Sequence, residues 1–154
     1  TYKLYEFFIL KANLIDKFNV GHDPTREEKY FKIKKKAKFD QKLKSDIYSR
    51  LDELYILSKK FNSIPIFITQ RSVRWKKVGN QVFSLNKEYN IYDMEKQKSD
   101  LIMKFCLDKK IKCINGFELI KLNPEDSYDL LHLNPKGSKK VSEVLYENLK
   151  DLKF

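Results

Sequence analysis

Apolar positions along the chain recur with a helical period in some stretches and collapse into short branched runs in others. Residues 3–18 place Leu4, Phe7, Phe8, Leu14, Ile15 and Phe18 on one amphipathic face, and Gly21 with the Asp23-Pro24 pair ends that helix. Residues 26–38 are charge-dense around Lys34-Lys35-Lys36 and read as a solvated loop or a frayed helix. Helical spacing returns over 39–61, where Phe39, Leu43, Ile47, Leu51, Leu54, Tyr55 and Phe61 predict one inward face.

The period then changes. Ile64-Pro65-Ile66-Phe67-Ile68-Thr69 suits a strand covered on both faces, with Pro65 confined to its beginning or to an edge. Residues 70–91 read as a long polar connection, and 92–109 as a helix with Met94, Leu101, Ile102 and Phe105 facing in. Ile111 to Asn115 predicts a second short strand, closed by Gly116. A last helix starts near Pro135 and turns Val141, Val144, Leu145, Leu149 and Leu152 to one side. Helix and strand in alternation is the rhythm of a parallel α/β sheet. With no internal repeat and no Gly/Ser-rich linker, the 154 residues read as one unit.

Charge alters this picture little. Lys+Arg 32 against Asp+Glu 21 gives +11, yet the lysines are spread over nearly every segment rather than gathered into a stripe. Abundant Lys, Ile, Asn and Tyr is a bias that AT-rich coding produces, so no specific nucleic-acid partner is implied. No run approaches the roughly 18 apolar residues of a membrane span, so no transmembrane segment is predicted. Cys106 and Cys113 flank six residues, a spacing that suits neither a zinc site nor a redox motif. Both are expected as buried thiols, and no metal site is predicted. Thr1 is not an initiator Met and opens the chain in what reads as the middle of a helix, so a longer parent is expected; no signal-type sequence opens it either, which leaves the compartment open.

The informative stretch for chemistry is Tyr128-Asp129-Leu130-Leu131-His132-Leu133-Asn134-Pro135-Lys136-Gly137. An Asp three residues before a His can share one side of a tight turn with it, its carboxylate within reach of the imidazole N–H. Such an Asp fixes the tautomer and leaves the other ring nitrogen free to take a proton. Asn134 is suited to cap a helix whose first residue is Pro135. Spacing alone also fits a histidine that merely bonds a nearby Asp at the start of a helix.

The whole string from Asp129 to Gly137, followed by an amphipathic helix, resembles the last catalytic block of the SGNH (GDSL-like) serine hydrolases, Asp-x-x-His-Leu-x-x-x-Gly before a C-terminal helix. The upstream order is similar as well: a strand ending in Ile68-Thr69-Gln70, a variable loop, a helix, and a short strand around Cys113-Ile114-Asn115. The resemblance spans residues 39–154. It implies a three-layer α/β/α sandwich with a parallel, flavodoxin-like sheet, of which residues 1–154 form the C-terminal portion of a single domain and lack the N-terminal strands. It also implies serine-dependent hydrolysis of a small-molecule or carbohydrate ester by an esterase, lipase or O-acyl hydrolase, with His132 as general base, Asp129 as orienting acid and no cofactor. An O-acyltransferase would use the same residues.

The departures are equally specific. No Gly-Asp-Ser block is present, and neither are the blocks that supply a Gly and an Asn to the oxyanion hole, so the nucleophile is expected outside this chain, upstream of Thr1. Ser72 and Ser127 lack the setting of a nucleophile and read as loop serines. Gly21-His22-Asp23 is only superficially similar to the Asn-bearing block, and His22 reads as structural. Because open parallel sheets bind ligands beyond the carboxyl ends of their strands, Thr69, Gln70 and Arg71 are expected to face the cleft of His132. Gln70 and Arg71 are therefore the predicted substrate-binding residues. Arg74 and Trp75 join Arg71 as candidate contacts to a sugar or an anionic group, against the alternative of a basic surface loop. A non-catalytic α/β domain and a basic nucleic-acid-binding module remain the readings from other classes.

Overall fold

The computed structural model describes residues 30–33, 37, 40–85 and 90–152. The helix expected over 3–18, the Gly21-His22-Asp23 stretch and Phe39 lie outside the described residues. The described chain is a mixed α/β protein built on two small sheets. Its elements run β1 (Phe31–Lys32), α1 (Gln41–Lys60), β2 (Phe67–Ile68), β3 (Trp75–Val78), β4 (Gln81–Ser84), α2 (Ile91–Lys109), β5 (Cys113–Ile114), α3 (Gly116–Leu119), a 3-10 turn (Pro124–Asp126) and α4 (Pro135–Leu149). β2 and β5 pair in parallel, Phe67 opposite Cys113 and Ile68 opposite Ile114. β1, β4 and β3 form an antiparallel sheet in that order. Among the described residues no helix is long and apolar enough to cross a membrane.

α1 starts where Asp40 Oδ1 accepts the Lys42 N–H at 3.1 Å, satisfying a donor that has no partner within the helix. Its Leu51 packs with Phe105 and Cys106 of α2, and Ile47, Tyr48 and Tyr55 surround them. Phe105 is fully buried and takes the edges of Tyr48, Tyr55 and Phe67 at 5.1, 6.4 and 5.7 Å between ring centroids. The predicted inward face is only partly correct: Leu54 is 56% and Phe61 71% exposed. Contact with α2 runs through Ile47, Tyr48, Leu51 and Tyr55, and Phe61 lies past the helix end as its cap.

The expected strand from Ile64 to Thr69 contracts to Phe67–Ile68, and Ile64 is 63% exposed rather than covered on both faces. Residues 70–91 are not a plain connection. Gly79, at φ 57°, and Asn80 turn β3 back on β4, with Val78 opposite Gln81. Part of the 26–38 stretch is ordered as well, since Phe31 and Lys32 pair with Ser84 and Phe83.

α2 begins at Asn90, whose Oδ1 accepts the Asp93 N–H at 3.0 Å, and ends at Lys110 in the left-handed region at φ 55°. That reversal returns the chain along α2 and brings Cys113 beside Cys106, 6.0 Å apart at Cα. The two cysteines are disulfide-bonded, which corrects the expectation of buried thiols. Their Cα separation lies within the usual range for such a bond.

A second core gathers Val73, Ile120 and Leu122 against Leu130, Leu133, Val141 and Val144. It seats α4, whose first residue is Pro135 and whose cap is Asn134, Oδ1 accepting the Gly137 N–H at 3.0 Å. A Cβ at Gly137 would overlap the backbone carbonyl oxygen of Asp126, so the start of α4 lies against the 3-10 turn with no room for a side chain. Gly137→Ala is expected to cost about 1–3 kcal/mol by forcing these backbones apart. Asn134→Ala should cost about 1 kcal/mol through the lost cap. Urea unfolding midpoints check both, and an unchanged midpoint for Gly137→Ala would mean that the turn yields freely.

Candidate functional site

The parallel strands end together. Thr69 follows β2 and Asn115 follows β5, and the Thr69 hydroxyl donates to Asn115 Oδ1 at 3.2 Å while accepting the Phe117 N–H at 3.0 Å. Ser99 of α2 donates to the same Asn115 oxygen at 3.2 Å, and the Glu118 N–H reaches it at 3.3 Å. Thr69 and Ser99 are both buried and Asn115 is half-buried, so this polar cluster ties the strand ends to α2.

Beside it lies a cavity of about 580 Å³, within the size range of small-molecule sites. Thr69, Gln70, Arg71, Ser72 and Arg74 line it from the segment after β2, and Glu95, Lys98 and Ser99 from α2. Its apolar lining includes Ile120 and Leu122, Leu131 and Leu133 on either side of His132, and Val141 and Leu145 of α4. The strand-end position expected for Gln70 and Arg71 is therefore where the structure places a cavity. His132 and Asp129 are not in its lining.

Residues 126–134 close on themselves. Tyr128 N–H donates to the His132 carbonyl at 2.8 Å, Asn134 N–H to the Asp126 carbonyl at 3.1 Å, and Ser127 bridges antiparallel to Leu133. Within this loop Asp129 Oδ1 accepts the backbone N–H of His132 at 2.7 Å and of Leu131 at 3.0 Å. Its other oxygen, Oδ2, lies 2.6 Å from His132 Nδ1. The turn requires Leu130 at φ 69°, a left-handed conformation that costs a non-glycine residue about 1–2 kcal/mol. Packing of the Leu130 side chain against Val73, Ile120 and Leu122 offsets that cost.

Three hydrogen bonds to one carboxylate stabilise its charged form. The His132 backbone N–H is the largest contributor, followed by the His132 ring and the Leu131 N–H, and together they hold the Asp129 pKa at about 2. With Asp129 ionised and accepting at Nδ1, the imidazole carries its proton there and presents Nε2 as the basic nitrogen. The His132 side chain is 77% exposed, and among the described residues only Asp129 hydrogen-bonds its ring.

Arg71 stacks on Trp75, its Cζ 3.9 Å from the ring centroid. Trp75, a candidate substrate contact against the alternative of a surface loop, is buried beneath that guanidinium, and its Nε1–H donates to Glu95 Oε2 at 2.7 Å. Ser127 is buried and donates its hydroxyl to the Pro124 carbonyl at 3.0 Å. The Ser72 hydroxyl accepts from the Arg74 backbone at 3.4 Å. Among the described residues no group of His, Cys, Asp and Glu forms a metal site.

Sequence reasoning missed Glu95, which also accepts the Ser72 N–H at 3.0 Å and lies 3.6 Å from Arg74. It missed the buried Asp126 too. Burial pulls the Asp126 pKa upward, but the Lys140 ammonium at 2.6 Å and the Asn123 N–H at 2.7 Å outweigh that and leave it below the ordinary value. A glutamate two turns before Ile102 is the only trace of the first, whereas Asp126 stands in the capping box Asn123-Pro124-Glu125-Asp126, a signal the sequence does carry.

No family model, curated protein or solved structure matches the chain.

The Asp129 carboxyl should titrate near 2 rather than at its ordinary 3.8, measurable from its carbon chemical shift. Because the folded-state value is depressed, its contribution to stability is complete above 3.8 and is lost as pH falls through about 2. His132→Ala keeps the dominant backbone bond, so the midpoint should rise only part of the way to 3.8. A midpoint at 3.8 in the unaltered chain would contradict the three-bond geometry.

Proposed function

We propose that this chain is the Asp-His-bearing part of an SGNH-type serine hydrolase that cleaves ester bonds, within a three-layer α/β/α domain whose parallel sheet is extended by strands outside residues 1–154. The observation that carries the reading is the 2.6 Å approach of Asp129 Oδ2 to His132 Nδ1 in a loop that fixes the carboxylate by two backbone N–H groups. Further support comes from the motif glycine. In Asp-x-x-His-Leu-x-x-x-Gly the last position is Gly137, where a Cβ has no room. The cavity beyond the strand ends supplies a place for a small-molecule or carbohydrate ester, with Gln70 and Arg71 as substrate contacts.

In this mechanism His132 Nε2 takes the proton of a serine hydroxyl as the serine oxygen bonds to the ester carbonyl carbon. Asp129 stabilises the imidazolium that results, without itself becoming protonated. The tetrahedral intermediate collapses with loss of the alcohol, which leaves with the proton from His132, and an acyl-enzyme remains. His132 then deprotonates a water that releases the acid. An acceptor hydroxyl in place of that water would make the same site an O-acyltransferase. No cofactor enters any step.

The 77% exposure of the His132 side chain favours a second reading, a non-catalytic α/β domain in which the Asp-His pair only shapes the approach to α4. The upstream coding sequence separates the two. A Gly-Asp-Ser block there, with a serine labelled by a fluorophosphonate probe, supports the hydrolase; neither supports the non-catalytic domain. A basic nucleic-acid-binding module would instead show salt-dependent oligonucleotide binding.

The 154-residue chain alone should hydrolyse short aryl esters no faster than buffer, because it holds a base and its orienting acid without a nucleophile; a rate abolished by Ser72→Ala or Ser127→Ala would overturn this. In the protein extended to include its serine, His132→Ala should lower turnover by roughly 10⁴-fold or more and Asp129→Asn by no more than that. The double variant should be hardly slower than His132→Ala, since members of one triad act as a unit. Retention of about a tenth of the parent rate by His132→Ala, with the fold intact by circular dichroism, would refute the assignment.

A further inference from the structure

The cavity beyond the strand ends contains a cation that the protein does not neutralise by contact. Arg71 is only partly exposed, its Nε is buried with no hydrogen-bond partner, and it takes part in no ion pair among the described residues. Glu95 is the acid in the same cavity wall, and its oxygens are already engaged. Oε2 accepts Trp75 Nε1 at 2.7 Å and Ser72 N at 3.0 Å, while Oε1 faces Arg74 at 3.6 Å. Arg71 is held instead by the face of Trp75, itself part of a three-ring cluster with Tyr92 and Phe117, at 4.7 and 5.3 Å between centroids. This platform fixes a planar fork of donors without using them up.

Leaving the buried Arg71 Nε–H without an acceptor is costly, and a guanidinium so placed is suited to hold a carboxylate or phosphate with two parallel hydrogen bonds. Arg74 and Lys98 also line the cavity, so its charged lining is cationic on balance against Glu95 alone. The rest of the lining is apolar, supplied in part by Leu131, Leu133, Val141 and Leu145. A neutral sugar would leave the guanidinium unpaired and the leucines facing hydroxyls. A bare inorganic anion would leave the apolar wall wet.

We propose that this cavity binds an amphiphilic oxyanion, with Arg71 holding the carboxylate or phosphate head and the apolar wall of the Asp-His loop and α4 holding an alkyl or acyl chain. The inference deepens the hydrolase reading by naming its substrate class, esters with a hydrocarbon chain and an anionic group. It is tested by binding rather than turnover, so that either can fail while the other stands.

The 154-residue chain would be titrated with octanoate, octyl phosphate and octanol by calorimetry and by ¹⁵N-resolved NMR. Saturable binding of octanoate or octyl phosphate is expected, tighter than that of octanol, with the tighter of the two anions identifying the head group. The Arg71 Nε–H resonance of the unaltered chain should shift on titration. Arg71→Met should weaken anion binding by about 10- to 100-fold, the loss of a charge-assisted pair, while leaving octanol binding unchanged, which also reports that the variant is folded. Arg71→Lys should recover part of the loss. The proposal is overturned if neither anion binds saturably, if octanol binds as tightly as both, or if the Arg71 Nε–H signal stays fixed while an anion binds elsewhere.

Discussion

One oxygen atom organises the region on which everything else rests. Asn115 Oδ1 receives the hydroxyls of Thr69 and Ser99 and the backbone N–H of Glu118, so a single partly buried acceptor ties together the ends of β2 and β5, the middle of α2 and the first turn of α3. The adjoining Gly116 permits this, since a Cβ there would overlap the Thr69 carbonyl oxygen. Two strands of two residues each would contribute little by themselves, and a parallel pair so short depends on packing and side-chain hydrogen bonds at its margins. With the strand ends fixed, the segment leaving β2 passes against α2, where the Ser72 N–H donates to Glu95 and Arg71, Ser72, Glu95 and Lys98 line one cavity.

The chemistry is divided between two structures of different character. The cavity wall after β2 is built by tertiary contact: Trp75 from β3, Glu95 from α2 and Phe117 from α3 meet beneath Arg71. The Asp-His loop is built by local hydrogen bonds, its carboxylate saturated by groups two and three residues ahead. Electrostatics follow the same division. Asp129 is exposed enough for water to share its charge and is depressed by direct bonds, whereas Arg71 is lowered chiefly by its burial, with Glu95 and Glu118 acting in the opposite direction.

Legibility in the sequence tracked that division. The Asp129–His132 pairing and the Asn134 cap depend on neighbours within a few positions, and spacing with side-chain chemistry was enough to place them. The long helices were likewise readable from their period, although α1 turned Leu54 and Phe61 outward because periodicity locates a stripe without saying what covers it. The hairpin from Trp75 to Ser84 was missed even though Gly79-Asn80 is a two-residue turn signature, because Lys76 and Lys77 made the flanking residues look like a polar loop. The Cys106–Cys113 bond was missed because its geometry depends on the left-handed turn at Lys110, a conformation that nothing in a lysine announces. Trp75 and Glu95 were beyond reach for another reason: they meet through folding across twenty residues, and neither belongs to a periodic or catalytic pattern.

The way residues 126–134 fasten to themselves has a consequence for inheritance. Two cross-loop backbone bonds and an Asx-type turn hold Asp129 and His132 in register, and the loop is seated on the rest of the protein by Leu130 and Leu133 in the second core and by the Asp126–Lys140 pair. Such a cassette is portable: it tolerates drift in the opposite wall, because those substitutions leave its internal bonds untouched. Substitutions can then accumulate on one side of the cavity while the Asp-His geometry on the other travels as a unit.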